Sequence, residues 1–329
     1  MGSLTSVITS TYNKSKYLDL TLAGFATQTD NNFELVIVND GGTDETEEII
    51  NKYTKYINLK YVYQNNTGAA GARNKALELA SGENIIIVDD DRIPAPEFIS
   101  EHKLRLRTDS KVVSIGKQNR VVSFYTHKLA LEYRQWMDLY KKYPQLVDCT
   151  EDIQLITSVD ILENPLTTLK NHLIGSYDPA MLIPIVDKYG EDLSGFHFGW
   201  GRAFGGNMAF NRNHLNEKIV YDETYKGYGI EDTDLSYKLY EMNYKFVYTQ
   251  NAVNFHQEHP RGILENSQHY KNLYKFCDKY DSLEVFLHKL DHEGEITLEE
   301  ANAFVNIIHN YYDIILPMIH KFIKKVSAE

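Results

Sequence analysis

Cysteine is nearly absent from this sequence: only Cys149 and Cys277 occur in 329 residues. They stand far apart and in no CxxC or metal-ligand spacing, which leaves no basis for a disulfide framework or a cysteine-ligated metal. Two reduced thiols in a core are expected, as suits a reducing compartment. An excess of positive charge is also missing, since 34 Lys and Arg against 46 Asp and Glu give a formal charge of −12. A chain that wraps nucleic acid carries the opposite balance, so no nucleic-acid partner is expected. No apolar run approaches the roughly 20 residues that span a bilayer. The candidates, Ile85 to Val88 and the stretch near Ile314, are short, and no basic-then-apolar leader opens the chain. The expected location is the cytoplasm, with at most peripheral attachment to a membrane.

What the chain does contain is a regular change of period. Hydrophobic residues make up 43% and charged residues 24%, the balance of a globular domain. Ser6 to Thr9 reads as a strand, and Leu18, Leu22 and Phe25 recur at helical spacing. Phe33 to Val38 is a second strand, after which Thr43 or Asp44 can cap a helix. Leu59 to Tyr63 is a third strand. A helix over about 70–79 stops near Gly82. Ile85 to Val88 is an unbroken apolar strand of the kind buried on both faces. Strands alternating with helices predict a mostly parallel sheet covered on both sides. Ligands bind beyond the carboxyl ends of such strands. Polar clusters stand at those ends: Ser10 to Asn13, Asn39 to Asp44, Asn65 to Gly71, and Asp89 to Arg92.

The second half is less legible. Residues 118–194 mix Tyr, Leu and Lys at helical spacing, punctuated by Pro144, Pro165, Pro179 and Pro184, and carry no recognisable chemistry. Gly195 to Gly201 reads as a mobile, glycine-rich loop. Asn207 to Asn211 and Lys245 to Thr249 read as strands. Asp232 to Met242 reads as a helix with Leu235, Leu239 and Met242 on one face. From about Asp281 the tail is amphipathic helix, with Thr297 as a cap. Its face of Phe304, Ile307, Ile308, Tyr311 and Ile315 is expected to pack on the domain or on a second subunit.

Five motifs can carry chemistry, and each has a plainer alternative. Asp89-Asp90-Asp91 offers hard carboxylate ligands for Mg²⁺ or Mn²⁺, or is an acidic turn. Asp40, in Asn39-Asp40-Gly41-Gly42, can accept the N3–H of a uracil, or simply close a strand. Asn66 to Asn74 sets small residues and Arg73 at a helix start, where Arg73 can meet phosphate or hold the Asp cluster. Its glycines fit neither a GxGxxG fingerprint nor a P-loop. Glu231-Asp232 pairs carboxylates at a helix N-terminus, where the dipole keeps a base ionised, or where they only cap. His256-Gln257-Glu258-His259 can complete a metal site begun by Asp91, through either histidine, or can be structural.

In this order the motifs resemble those of inverting GT-A glycosyltransferases of the family-2 type, over about Ser6 to Lys279. The span from Gly229 to His256 is most similar to the chondroitin-polymerase and polypeptide N-acetylgalactosaminyltransferase branch. Asn39 and Gly42 depart from the usual Asp-Asp-Gly-Ser turn. The resemblance implies a GT-A, Rossmann-like α/β fold: a mostly parallel sheet, helices on both faces, and a helical C-terminal extension. It implies a domain over 1–280, with a nucleotide-sugar half at 1–117 and an acceptor half at 118–280, and an extension at 281–329. It further implies a UDP-sugar donor bound by Thr11, Tyr12, Asp40, Arg73, Asp89 and Asp90. Mn²⁺ or Mg²⁺ would be held by Asp91 and His256. Asp232 would be the general base, and Glu231 would orient hydroxyls. Trp200, Gly206 and Asn207 would stand on the acceptor side, Trp200 on a loop that closes over the donor. The acceptor, whether glycan, peptide, lipid or small molecule, stays open.

Two rival classes share such a sheet. A nucleotidyltransferase that makes sugar nucleotides wants a basic, Gly-rich loop after the first strand, where this chain has Ser10-Thr11-Tyr12-Asn13. A non-catalytic carbohydrate-binding protein has no need of Asp91, Asp232 and His256.

Overall fold

The computed structural model of the chain describes residues 3–107, 111–176, 182–215, 217–227, 229–260 and 265–326. Pro179 and Tyr228 lie outside them, as does the side chain of Ile315. The first half alternates as expected: β1 (Thr5–Thr11), α1 (Ser15–Ala26), β2 (Phe33–Asp40), α2 (Thr46–Tyr53), β3 (Leu59–Gln64), α3 (Ala69–Leu79) and β4 (Asn84–Ile87). Strands β3, β2, β1 and β4 lie side by side and parallel. Every residue of β4 is buried. Ile85 and Ile87 join Ile8, Val36 and Val38 in one core, while Ile86 joins Val7, Leu35 and Ile37 in another. Successive strand side chains point to opposite faces, so two cores on one strand mean helices on both sides of the sheet.

One local expectation widens and one changes. Asp44 serves two helices: its Oδ1 accepts from Thr46 Oγ1 at 2.6 Å at the start of α2, and its Oδ2 accepts the Ser15 N–H at 2.7 Å at the start of α1, across the sheet edge. Gly82 is not a stop signal, because Ala80 already ends α3 in extended geometry. A Cβ at Gly82 would stand 2.6 Å from the Leu4 carbonyl, so close backbone approach is its reason.

The second half adds β5 (Arg92–Pro94), α4 (Phe98–Arg107), β6 (Val112–Val121), β7 (Phe124–Tyr125), α5 (Tyr133–Lys142), β8 (Ile153–Gln154), α6 (Ser158–Glu163), α7 (Pro165–Asn171) and β9 (Leu173–Ser176). Then come α8 (Ile183–Tyr189), β10 (Met208–Asn211), α9 (Glu231–Glu241), β11 (Lys245–Gln257), α10 (Glu265–Lys279), α11 (Leu283–His292) and α12 (Leu298–Val326). The sheet order is β3-β2-β1-β4-β10-β6-β11-β5, with β9 beside β6. Strand β10 runs antiparallel to β4 and to β6, so the sheet is mixed beyond β4. Residues 122–174 carry a small core of their own around Tyr125, Leu139 and Leu146.

Strand β11 does not end at Thr249. It breaks register with β6 between Thr249 and Val253 and then continues to Gln257. That irregularity re-aims the strand, and its far end lies beside β5, with His256 opposite Arg92. This pairing brings a late histidine to the Asp triplet.

The glycine-rich stretch is not a lid. Trp200 sits on a short 3-10 turn, fully buried. Its indole lies 4.8 Å from the Tyr237 ring and 4.7 Å from that of His288. Burying so large an apolar surface fixes the turn to the core and leaves nothing to swing over a donor. Helices α11 and α12 join that core through Val285, Leu287, Leu298, Ala301 and Val305. Thr297 caps α12 by a capping box with Glu300. The predicted apolar stripe is the outer one: Phe304, Ile307 and Tyr311 are exposed, and the inward face is one step round the helix.

Candidate active site

The polar loops at the strand ends are tied to one another by side chains. Asn13 adopts the left-handed region, φ 53°, and its Oδ1 accepts the Thr43 N–H at 2.8 Å. Gly42 permits this because a Cβ there would stand 3.1 Å from the Asn13 nitrogen. Asn39 Oδ1 accepts the Gly42 N–H, so the amide that replaces the usual acid holds the turn. Asp40 Oδ1 accepts from Gln64 Nε2, Thr67 N and Thr67 Oγ1, and Oδ2 accepts from Gly68 N at 2.8 Å. A carboxylate has about four acceptor positions, and the second oxygen takes a single bond. Tyr12 is half exposed beside this turn, and Thr11 is buried at the end of β1.

Arg73 organises the centre. Its Nη2 donates to Asp89 at 2.8 Å, and its Nη1 is shared by Glu231 at 3.1 Å and Asp232 at 3.2 Å. Of the two readings of Arg73, phosphate contact or clamp on the acids, the structure has the clamp. The Tyr221 ring lies under the guanidinium at 5.4 Å. Gly205 packs on Asp232, where a Cβ would meet Oδ1 at 2.4 Å. Ile230, directly before the pair, holds φ 77°, which is strained for a β-branched residue. Asn272 on α10 donates to the carbonyls of Lys226 and Gly229 and so braces this turn.

The helix N-terminus does not dominate the electrostatics as the sequence implies. Burial, then the Asp232 charge, pushes Glu231 up to about 7 against the pull of Arg73. Burial also raises Asp232, with Arg73 opposing. Glu231 therefore holds part of a proton near neutrality, and burial pushes Asp232 in the same direction. Glu231 Oε2 is buried and takes no hydrogen bond, which suits it to receive one from a substrate hydroxyl.

Beside this lies a second cluster. Ligand atoms of Asp91, His256 and His259 fall within 4.8 Å of one another. His256 Nδ1 donates to Glu258 Oε1 at 2.9 Å, and Nε2 faces Asp91 Oδ1 at 3.8 Å. Glu258 in turn takes Arg120, and these two partners outweigh its burial and hold it down at about 2. His259 Nδ1 donates to the Pro260 carbonyl, and Nε2 lies 3.1 Å from Asp91 Oδ2. A backbone or carboxylate acceptor on one ring nitrogen sets the tautomer that presents the other. Asp91 Oδ1 is buried with no hydrogen-bond partner. One unsatisfied carboxylate oxygen with two oriented imidazoles is a donor set that fits Mn²⁺ or Mg²⁺. Both histidines thus approach the cluster.

Lys14 was not singled out, yet its Nζ donates to Asp91 Oδ2 at 2.6 Å and lies 3.6 Å from Asp90 Oδ1. The clue was its place in the first converging loop. Burial raises Asp90 to about 6 although Lys14 opposes it. Tyr221 gave no sequence signal. Of the acceptor-side residues, Asn207 is a correction: it is fully buried, bonded to His102 Nε2 and to the carbonyls of Lys117 and Ala252. Every polar atom is spent on the fold, none on a ligand. Gly206 packs on Arg92, where a Cβ would meet Nη2 at 2.9 Å.

Residues 6–155 match the family model described as Glycosyl transferase family 2. An uncharacterized glycosyltransferase of Bacillus subtilis, YfnE, is 26% identical over 98% of this chain and 83% of its own length. The chondroitin synthase of Escherichia coli is 26% identical over 78% of this chain, which spans 35% of that longer protein. Among solved structures, S. aureus TarS 1–349 in complex with UDP-GlcNAc superposes with a TM-score of 0.55 at 19% identity, over 88% of this chain and 73% of that one. No helix among the described residues is long and apolar enough to cross a membrane. Motif order, the mixed sheet and these relatives converge: the chain is a glycosyltransferase with a GT-A fold, its first half matches family 2, and it is similar to the chondroitin synthases.

Proposed function

We propose that this enzyme transfers a sugar from a UDP-sugar to an acceptor hydroxyl in one displacement that inverts the anomeric centre. The observation that carries the reading is the buried Glu231–Asp232 pair, clamped with Asp89 on Arg73. Asp232 accepts the acceptor's proton as the hydroxyl oxygen bonds to the anomeric carbon. The bond from that carbon to the diphosphate breaks, and UDP leaves with the electron pair. Glu231 orients a hydroxyl through its open oxygen. Tyr12 stacks on the base, and Asp40 Oδ2 accepts the uracil N3–H. Thr11, Asp89 and Asp90 line the same loops. Asp91, His256 and His259 would hold Mn²⁺ or Mg²⁺, which when bound supplies Lewis-acid neutralisation of the leaving diphosphate. A fold neighbour bound to UDP-GlcNAc supports the choice of uridine.

A calorimetric screen tests the donor. Uridine nucleotides are expected to bind at least tenfold more tightly than guanosine ones, about 1.4 kcal/mol, and a GDP-sugar that bound best would remove Asp40 from this role. Asp232→Asn is expected to keep donor binding and lose on the order of a hundredfold in turnover. An α-linked donor should yield a β-linked product by NMR. Retention, or wild-type turnover by Asp232→Asn, overturns the mechanism.

A further inference from the structure

Two kinds of cation have a claim on the same donor atoms. Lys14 Nζ sits 2.6 Å from Asp91 Oδ2 and 3.2 Å from His259 Nε2. His259 Nε2 is among the ligands a divalent ion would use with Asp91 Oδ1 and His256, and Oδ2 belongs to the same carboxylate; such an ion binds oxygen at about 2.0–2.1 Å for Mg²⁺. At those lengths it would stand against the ammonium, so the two compete for this carboxylate and for His259. The lysine backbone is fixed, because Asn13 before it is held by Thr43. Its side chain is 31% exposed, and four flexible carbons give the ammonium freedom to move.

We propose that Lys14 is the resident cation of the metal-free site, and that it gives up Asp91 and His259 only when a nucleotide diphosphate offers its ammonium another anion. Metal binding is then conditional on the nucleotide. The two ligands couple positively, and because coupling is reciprocal, the metal tightens the nucleotide by the same factor. The inference rests on the metal reading above and adds an order to it: a cation that entered first would have to expel a paired lysine.

The test is Mn²⁺ binding, read by EPR of the free ion, for the full chain and for Lys14→Met, each with and without UDP. Wild type is expected to bind Mn²⁺ weakly alone and at least tenfold more tightly with UDP. Lys14→Met is expected to bind Mn²⁺ alone at least tenfold more tightly than wild type does, and UDP should then add less. Lys14→Gln, which keeps a polar end, serves equally if Lys14→Met does not fold, and Asp91→Asn should abolish binding throughout. If wild type binds Mn²⁺ with UDP but neither Lys14 variant gains affinity without it, the displacement idea falls and the metal site stands. If no protein binds Mn²⁺ even with UDP, the metal site falls and takes this inference with it.

Discussion

Replacing Arg73 tests the core of the site directly. The guanidinium is buried, and it is the common partner of Asp89, Glu231 and Asp232 at 2.8, 3.1 and 3.2 Å. Arg73→Met keeps much of the side-chain volume and strips all three acids of their shared cation. Removing one partner of a buried ion pair costs roughly 3–5 kcal/mol, because the charge left behind is uncompensated. For a chain of this size 1 kcal/mol is about 2–4 °C or less, so a fall of roughly 5–10 °C in the melting temperature is expected. The loss must also depend on pH. Without Arg73, which opposes the rise of both Glu231 and Asp232, the acids ionise later, and protonation relieves their repulsion. The melting difference between wild type and Arg73→Met should therefore be larger at pH 8 than at pH 6, by differential scanning fluorimetry. Arg73→Lys restores the charge but cannot fork between three carboxylates, and it should recover only part of the stability. A difference under 2 °C that is flat with pH would refute the clamp.

The Glu231–Asp232 pair makes a second pH claim. Glu231 titrates at about 7 in the folded chain against 4.5 for an ordinary glutamate, so the acid limb of kcat/KM should lie near 7. Glu231→Gln should move it to lower pH, and an unmoved limb would show that another group sets it. The folded state holds this proton more tightly, so its contribution to stability is complete below about pH 4.5 and is lost as the pH rises through about 7. Truncation at Asp281 should expose core residues of the catalytic domain, since Val285, Leu287, Leu298, Ala301 and Val305 share the cluster of Trp200 and Leu235. Aggregation by light scattering is expected, and a monomeric, fully active truncation would show α11 and α12 to be dispensable.

The first half of the fold was legible because β1, β2 and β4 are covered on both faces. An unbroken run such as Ile85 to Val88 has one explanation in a short segment, and the polar clusters that follow each strand point to one edge. What sequence could not give was which side chains at that edge spend themselves on each other. Arg73 looks like a phosphate ligand by position, and Asn207 like a substrate contact. Both are consumed by the protein, the first by three acids and the second by His102 and two carbonyls. Trp200 failed for a related reason: glycines on either side imply mobility, but an indole with six-ångström neighbours on several sides is an anchor. The break in β11 has no periodic signature, so the route by which His256 reaches Asp91 stayed hidden although both residues were named.

The charge inventory of the site explains why its cations matter so much. Asp89, Asp90, Asp91, Glu231 and Asp232 supply five acids, and Arg73, Arg92 and Lys14 supply three bases within 4 Å of them. With all groups ionised the balance is 3 − 5 = −2, which repels a diphosphate. Two features of the structure reduce that repulsion. Burial raises Asp90 to about 6 and Glu231 to about 7, so part of a proton is retained near neutrality, most of it on Glu231. A divalent ion on Asp91 would bring the sum to −2 + 2 = 0 before any proton is counted. Arg73 serves three acids and Arg92 is tied to Asp89, Asp91 and Gln118, which leaves Lys14 as the base with a partly exposed and flexible arm. A donor that arrives with its own metal thus solves both halves of the problem. On the proposal above, Asp91 would hold the ion, the ammonium released from Asp91 would meet the phosphates, and the acids at Arg73 would stay in place for the proton transfer.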